Sequence, residues 1–350
     1  MKTKVLKVDP QFPALSEIDE AAQALQAGQL VAFPTETVYG LGANALDCEA
    51  VKKIFAAKGR PAHDPLIVHI SDLSMLEQVV SQVSAEAMRL AKHFWPGPLT
   101  LIMPKHANIP DEVTAGLGNV AVRMPSHPVA LTLIHQAGLP IAAPSANRFG
   151  HTSPTSAAHV LADLDSRIEM VLDGGSTPIG VESTVLDVTQ SPARILRPGG
   201  VTFEELQDLL ETVLLNGQKT SQAEDVPQIS PGLLSRHYAP KAVLVLFESE
   251  GDQLVCAEMR EKVELLLSQG KRVGVMCAVE DIPYFEGLDV DLRLLGSVDR
   301  LEDIARGLYL ALRSLDEAGV DFIVAREFGS QGIGLAIQDR LRRAATHKEE

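Results

Sequence analysis

Along the first two-thirds of the chain, short apolar runs alternate with stretches in which apolar residues recur every third or fourth position. The runs predict strands at 30–33, 66–70, 99–103, 120–124, 141–143, 170–172 and 185–188. Helical spacing lies between some of them. Val51, Ile54 and Phe55 predict a helix that stops before Gly59 and Pro61, and further helices are expected at 85–94, 129–136 and 155–164. Strands mixed with helices in this way predict an α/β domain built on a mixed sheet and ending near Leu214.

The pattern then breaks. Residues 216–240 lack apolar periodicity and contain Pro227, Pro231, Gly232 and Pro240, which reads as a linker too long for an ordinary connection inside one compact domain. From Ala242 a second α/β pattern begins, with strands at 243–247, 273–279, 292–295 and 322–325 and helices at 259–267, 304–315 and 334–345. Arg340, Arg342 and Arg343 fall near the C-terminus of the last helix, where cations suit the helix dipole. The expected organisation is a domain at 8–214, a linker at 215–240 and a smaller three-layer α/β domain at 241–346.

Composition narrows the chemistry. The 350 residues carry three widely spaced cysteines, Cys48, Cys256 and Cys277, which argues against a disulfide framework and fits a reducing, cytoplasmic setting. No apolar stretch is long enough for a membrane span, and the start, Met1-Lys-Thr-Lys-Val, has no apolar segment of the secretory type. The formal net charge is −15, so the overall field does not favour polyanions, and 4% aromatic content argues against a base-stacking surface. The charge is uneven. Residues 201–350 hold 16 basic and 27 acidic side chains, whereas 51–150 hold 9 and 6. A locally positive middle in an acidic protein points to a small anionic ligand held in a cleft.

The chain has no P-loop, no H-E-x-x-H helix, no C-x-x-C and no G-x-S-x-G elbow. Gly40-Leu-Gly42-Ala-Asn-Ala45 fits the dinucleotide spacing, but Lys58 and Arg60 stand where an acidic residue belongs, so the glycines read as a turn. Several polar clusters close apolar strands. Thr35-Glu36-Thr37 can orient a small polar substrate or form a turn with local hydroxyl–backbone bonds. Lys58-Gly59-Arg60-Pro61 suits a phosphate or carboxylate, and equally suits a helix C-cap. Ala143-Pro-Ser145-Ala-Asn147 ends a buried strand, and Ser153-Pro154-Thr155 reads as an N-cap opening the next helix. Glu182-Ser183-Thr184 and Arg197-Pro-Gly199-Gly200 follow. His69 and Arg123 interrupt apolar strands; the histidine reads as structural or functional, whereas a buried arginine requires an anionic partner.

In this order the motifs resemble the YrdC-like family: Pro34-Thr-Glu-Thr-Val-Tyr-Gly-Leu-Gly42, Lys58-x-Arg60-Pro61, Pro65-Leu-Ile-Val-His69, Trp95-Pro-Gly-Pro-Leu-Thr100, Val122-Arg-Met-Pro125, Ala143-Pro-Ser-Ala-Asn147, Glu182-Ser-Thr184 and Arg197-Pro-Gly199. Ser235-Arg-His-Tyr-Ala-Pro240 and the second domain resemble its longer, two-domain members, the threonylcarbamoyl-AMP synthases. The resemblance implies a twisted mixed sheet with a deep positive cleft, followed by a smaller Rossmann-like domain. It implies that L-threonine, bicarbonate and ATP give threonylcarbamoyl-AMP and pyrophosphate, with Mg²⁺ accompanying ATP and no metal site of the protein's own. The product would pass to a tRNA threonylcarbamoyl transferase. By the same resemblance Lys58, Arg60, Ser145 and Asn147 form the catalytic core. Asp64, Ser153, Arg197 and Tyr238 join them around ATP, with Tyr238 making the linker a lid. Thr35 or Thr37, His69, Arg123, the Ala143 backbone and Ser183 hold threonine, and Arg123 or Arg60 takes its carboxylate. Asp64 departs from the asparagine expected before Pro65; a carboxylate there repels a triphosphate unless it reaches Mg²⁺ or points away. The competing readings are an RNA-binding module of the same fold, with direct tRNA binding left open, and an enzyme making a different carbamoyl-adenylate.

Overall fold

The computed structural model of the chain describes residues 2–215, 238–248 and 252–349. The linker and lid expected at 215–240 therefore falls, except for Leu215 and 238–240, outside the described residues. The described residues divide into two compact units: 2–149, 153–178 and 182–215 in the first, and 150–152, 179–181, 238–248 and 252–349 in the second.

In the first unit, eleven strands are found among the described residues. They are β1 (Lys4–Lys7), β2 (Val31–Phe33), β3 (Gly40–Asn44), β4 (Ile67–His69), β5 (Leu99–Pro104), β6 (Asn119–Arg123), β7 (Ile141–Ala142), β8 (Met170–Asp173), β9 (Thr184–Asp187), β10 (Ala193–Arg197) and β11 (Val213–Leu215). Their order is β1-β8-β2-β3-β7-β4-β6-β5-β9-β10-β11. The sheet is mixed, as expected: β4 runs parallel to β6 and antiparallel to β7.

The apolar runs became strands within a residue or two of their expected ends. The helix over Cys48–Lys58 starts where the Asp47 carboxylate accepts from the Glu49 and Ala50 amides, and it ends at Gly59 in the left-handed region (φ 64°). Two expectations fail. Gly40-Leu-Gly42 is not a turn but part of β3, paired antiparallel with β2 and β7. Its glycines answer to crowding: a Cβ on Gly42 would lie 2.8 Å from the Phe33 ring and 2.9 Å from Ile141. The helix expected from residue 155 starts at Ala157, with Ser156 as its N-cap, so Ser153 is left free of capping. The helix Leu15–Gln26 carried its own signal in the buried residues Ile18, Ala21, Ala22 and Leu25, spaced i, i+3, i+4 and i+7.

Side-chain alternation sorts the central strands into two faces. Val68, Leu101, Val122 and Leu186 join the large core. Ile67, Ile102, Ala121 and Val185 form a small apolar cluster with Leu196. His69 shares a face with Ile67, Arg123 with Ala121, and Thr100 with Ile102. The register sets His69 directly beside Arg123.

The second unit is built on a parallel sheet. Its strands are β12 (Val243–Phe247), β13 (Val273–Cys277), β14 (Asp291–Leu294), β15 (Phe322–Arg326) and β16 (His347–Glu349), ordered β14-β13-β15-β12-β16. Its core packs Val245, Val275 and Val324 against Val255, Met259 and Val263 of the helix Asp252–Ser268. The expected strand 273–279 stops at Cys277, where the chain turns into a short helix of the 3₁₀ type, Val279–Asp281.

Candidate functional site

Arg123 ends β6 and is 3% exposed, so its charge requires partners inside the protein. One guanidinium nitrogen, Nη2, lies 2.6 Å from Glu36 Oε1. Nη1 donates to the Thr37 hydroxyl at 2.9 Å, and Nε donates to the Gly97 carbonyl at 3.3 Å. The segment that delivers Glu36 and Thr37 is wound by Thr35. Its hydroxyl donates to the Val38 carbonyl (2.7 Å) and accepts from the Thr37 amide (3.2 Å) and the Val38 amide (3.3 Å). The Thr35 and Thr37 hydroxyls are 2.8 Å apart. The turn reading of Thr35-Glu36-Thr37 therefore holds: Thr35 builds the turn, and Glu36 and Thr37 within it contact Arg123.

The second cluster centres on Lys58. The C-cap reading is correct for Gly59, but the Lys58 side chain does not go to solvent. Its ammonium donates to the Ser145 carbonyl (2.6 Å) and the Asn147 carbonyl (2.5 Å). The loop it grips is pinned elsewhere by Leu41 N to Pro144 O, Ala146 N to Tyr39 O and Phe149 N to Lys58 O. Ala143 starts that loop, its amide bonded to the Ile67 carbonyl at 2.9 Å. Burial, and then the charge of Arg60, push the Lys58 ammonium well below its ordinary pKa.

Arg60, two residues on and past the helix end, donates to the Asp64 and Pro65 carbonyls (3.1 and 2.8 Å) and pairs with Asp64 Oδ2 at 2.9 Å. Asp64 has no exposed surface. Burial raises its pKa, opposed by Arg60, Lys58, His63 and Arg197 in that order. Its carboxylate is thus paired with Arg60.

Arg197 organises the third cluster. It donates to the Ser183 carbonyl through Nε (3.2 Å) and Nη2 (2.9 Å), and to the Ser183 hydroxyl at 3.1 Å. That hydroxyl lies 2.8 Å from Thr100 Oγ1. Ser153, buried, donates to Glu182 Oε1 at 2.6 Å. Tyr238 belongs to the second unit. There it is buried with φ 63°, its ring centre 5.7 Å from that of Tyr309 and 5.2 Å from the Arg340 guanidinium.

His69 is buried beside Arg123 and edge-on to Phe33, with no hydrogen-bond partner at Nδ1. Burial, reinforced by the Arg123 charge, pushes its pKa down to about 3. Below pH 6.5 the unfolded chain takes up a proton at this position that the folded chain refuses until about pH 3, so stability falls as pH drops through that window. The contribution is about 1.4 kcal/mol per pH unit. His69→Gln is expected to lose less thermal stability than the parent between pH 7.5 and 5, measured as the difference in Tm; equal losses would contradict a neutral buried imidazole.

A family model described as telomere recombination (Sua5_yciO_yrdC) matches residues 23–199, and one described as threonylcarbamoyl-AMP synthase, C-terminal domain, matches 201–346. The threonylcarbamoyl-AMP synthase of Pyrococcus abyssi is 47% identical over 333 residues, 94% of each chain. That of Bacillus subtilis is 48% identical over 334 residues, 94% of this chain and 93% of its own. The chain belongs to the threonylcarbamoyl-AMP synthase family. The crystal structure of P. abyssi Sua5 complexed with L-threonine superposes with a TM-score of 0.92 and 44% identity over 99% of this chain and all of that one. Escherichia coli YciO shares the fold of the first unit at 23% identity (TM-score 0.50).

For this threonylcarbamoyl-AMP synthase family member, the first unit joins most of the residues singled out from sequence: Lys58 with Ser145 and Asn147, Arg60 with Asp64, Arg123 with Thr37 and His69, and Ser183 with Arg197. Glu36, Glu182 and Thr100, all buried and in contact with these residues, had no individual role in the family assignment. Glu36 and Glu182 stand inside the quoted motifs, and the requirement of a buried arginine for an anion was the signal that leads to Glu36.

Proposed function

We propose that the chain makes threonylcarbamoyl-AMP and pyrophosphate from L-threonine, bicarbonate and ATP in the cytoplasm, for transfer to tRNA by a partner enzyme. Family membership carries this reading, and the chemistry of the first unit agrees with it. The threonine amine and bicarbonate give a carbamate and water; a carbamate oxygen then attacks the α-phosphorus, and pyrophosphate leaves. Two anions must approach each other, so the site has to supply cations held in place beforehand. Positioning of this kind is the main catalytic term in phosphoryl and nucleotidyl transfers, which need no protein nucleophile.

Arg123 has five N–H donors, and the bonds described above occupy three, leaving two for the threonine carboxylate. Thr35, Thr37, His69, Ser183 and the Ala143 backbone complete the threonine site in this proposal. The Lys58 ammonium has a third donor beyond the two carbonyls it holds. Lys58, Arg60, Ser145 and Asn147 are assigned to the phosphates and the carbamate, and Ser153, Arg197 and Tyr238 to the rest of the nucleotide. Mg²⁺ takes one or two carboxylates together with phosphate oxygens. The ion is assigned to the phosphates of ATP, and Asp64 to its pairing with Arg60. Release of pyrophosphate from ATP should require threonine and bicarbonate together. Release without either one, or with other amino acids equally well, would overturn the reading; salt-dependent tRNA binding without release would support the RNA-binding alternative.

A further inference from the structure

The threonine site proposed above contains one buried charge that has not been given a task. Glu36 is 5% exposed; its Oε1 is paired with Arg123 Nη2 at 2.6 Å, and its Oε2 has no hydrogen-bond partner. A buried carboxylate normally collects two or more donors. This one has Arg123 as its single partner, with Oε2 buried and unmatched.

The histidines nearby add no charge. Burial keeps His69 neutral, and burial, only partly opposed by the Glu36 carboxylate, lowers His127. Arg123 and Glu36 therefore stand as one cation and one anion side by side. An ordinary carboxylate ligand on Arg123 would displace or crowd Glu36 and leave a surplus buried negative charge, at high cost. A zwitterion leaves none: its carboxylate meets Arg123 and its ammonium meets Glu36.

We propose that Glu36 is the ammonium-binding residue of the amino-acid site, receiving the substrate α-ammonium on Oε2 while Arg123 takes the carboxylate. The proposal rests on the reading of Arg123 as the carboxylate site. It makes Glu36 a specificity residue, selecting α-amino acids over hydroxy acids of the same shape.

The test is calorimetric titration of the full chain with L-threonine and with 3-hydroxybutyrate, which keeps the carboxylate and hydroxyl and lacks the amine. The parent should bind threonine at least about tenfold more tightly than the hydroxy acid, the scale of a hydrogen bond to a charged group. Glu36→Gln should weaken threonine about 10- to 100-fold and leave the hydroxy acid nearly unchanged, so that the discrimination collapses. Equal weakening of both ligands would make Glu36 a mere support for Arg123 and overturn the proposal, as would unchanged threonine affinity. Glu36→Asp keeps the charge and shortens the arm. Should Glu36→Gln melt below the assay temperature, Glu36→Asp decides alone: weaker threonine binding with the preference for the amine retained supports the proposal, and parental affinity overturns it. If the parent itself fails to bind threonine, the underlying reading of the site fails, a result distinct from either outcome in the variants.

Discussion

Lys58→Met is expected to lower pyrophosphate release by about 10²–10³, the usual loss when one fixed electrostatic donor is removed from a transfer site. The methionine fills the same channel, so the far-ultraviolet circular dichroism spectrum should stay that of the parent. Two effects combine. The ammonium that would face the phosphates disappears. The Ser145 and Asn147 carbonyls, gripped at 2.6 and 2.5 Å, lose their donor, and the loop carrying those two side chains loosens. The desolvation that depresses the Lys58 pKa is relieved, which offsets part of the stability lost through those carbonyls. Steady-state release and thermal melting on one sample check both halves. A variant that turns over like the parent would return Lys58 to the role of a helix-end residue.

Gly199→Ala should be the most damaging of the small substitutions. A Cβ there would sit 2.3 Å from Glu182 O, 2.3 Å from Ser183 C and 2.4 Å from Thr184 N. All three are backbone atoms, so no rotamer change relieves the clash. The segment cannot retreat easily either: Arg197 holds the Ser183 carbonyl, Gly200 N donates to Glu182 O at 3.1 Å, and Val201 N donates to Thr184 Oγ1 at 3.1 Å. Overpacking of this kind costs about 3 kcal/mol, which lowers Tm by about 6–12 °C in a unit of this size. Ser183 and Glu182 would shift with their backbone, so activity should fall as well. Gly118→Ala is the control, since nothing lies within 4 Å of its Cβ position. A Gly199→Ala protein as stable as that control would refute the close approach.

Much of the architecture was legible because burial of both faces writes central strands as nearly continuous apolar runs, as in 99–103, broken only by Thr100, and 120–124, broken only by Arg123. β3 was not legible. It is a central strand made of Gly40-Leu-Gly-Ala-Asn44, and the reason for Gly42 is crowding by the Phe33 ring and Ile141 on neighbouring strands, invisible to any local rule. The site divides in the same way. Lys58, Arg60, Ser145 and Asn147 stood out by type and position. The pairing of Arg123 with Glu36 depends on which strands become neighbours, and that information lies in the sheet order rather than in either motif. Arg60 and Asp64 are four residues apart, yet Gly59 and Pro61 rule out a continuous helix through them, so helical spacing could not pair them.

The edge of the large sheet bears on how the protein is made. β1 pairs with β8, joining Lys4 to Met170, so β1 gains its partner only once β8, far along the chain, has been made. Until β8 arrives, β1 is an unpaired strand and β2 is paired only with β3, so open backbone groups are left that are prone to associate with other chains. β1 reads Lys-Val-Leu-Lys, with Lys4 and Lys7 exposed at its two ends. Charge on an edge strand discourages edge-to-edge pairing, so these lysines, remote from any chemistry, guard the nascent chain during the interval in which neither Arg123 nor Glu36 yet has a pocket to occupy.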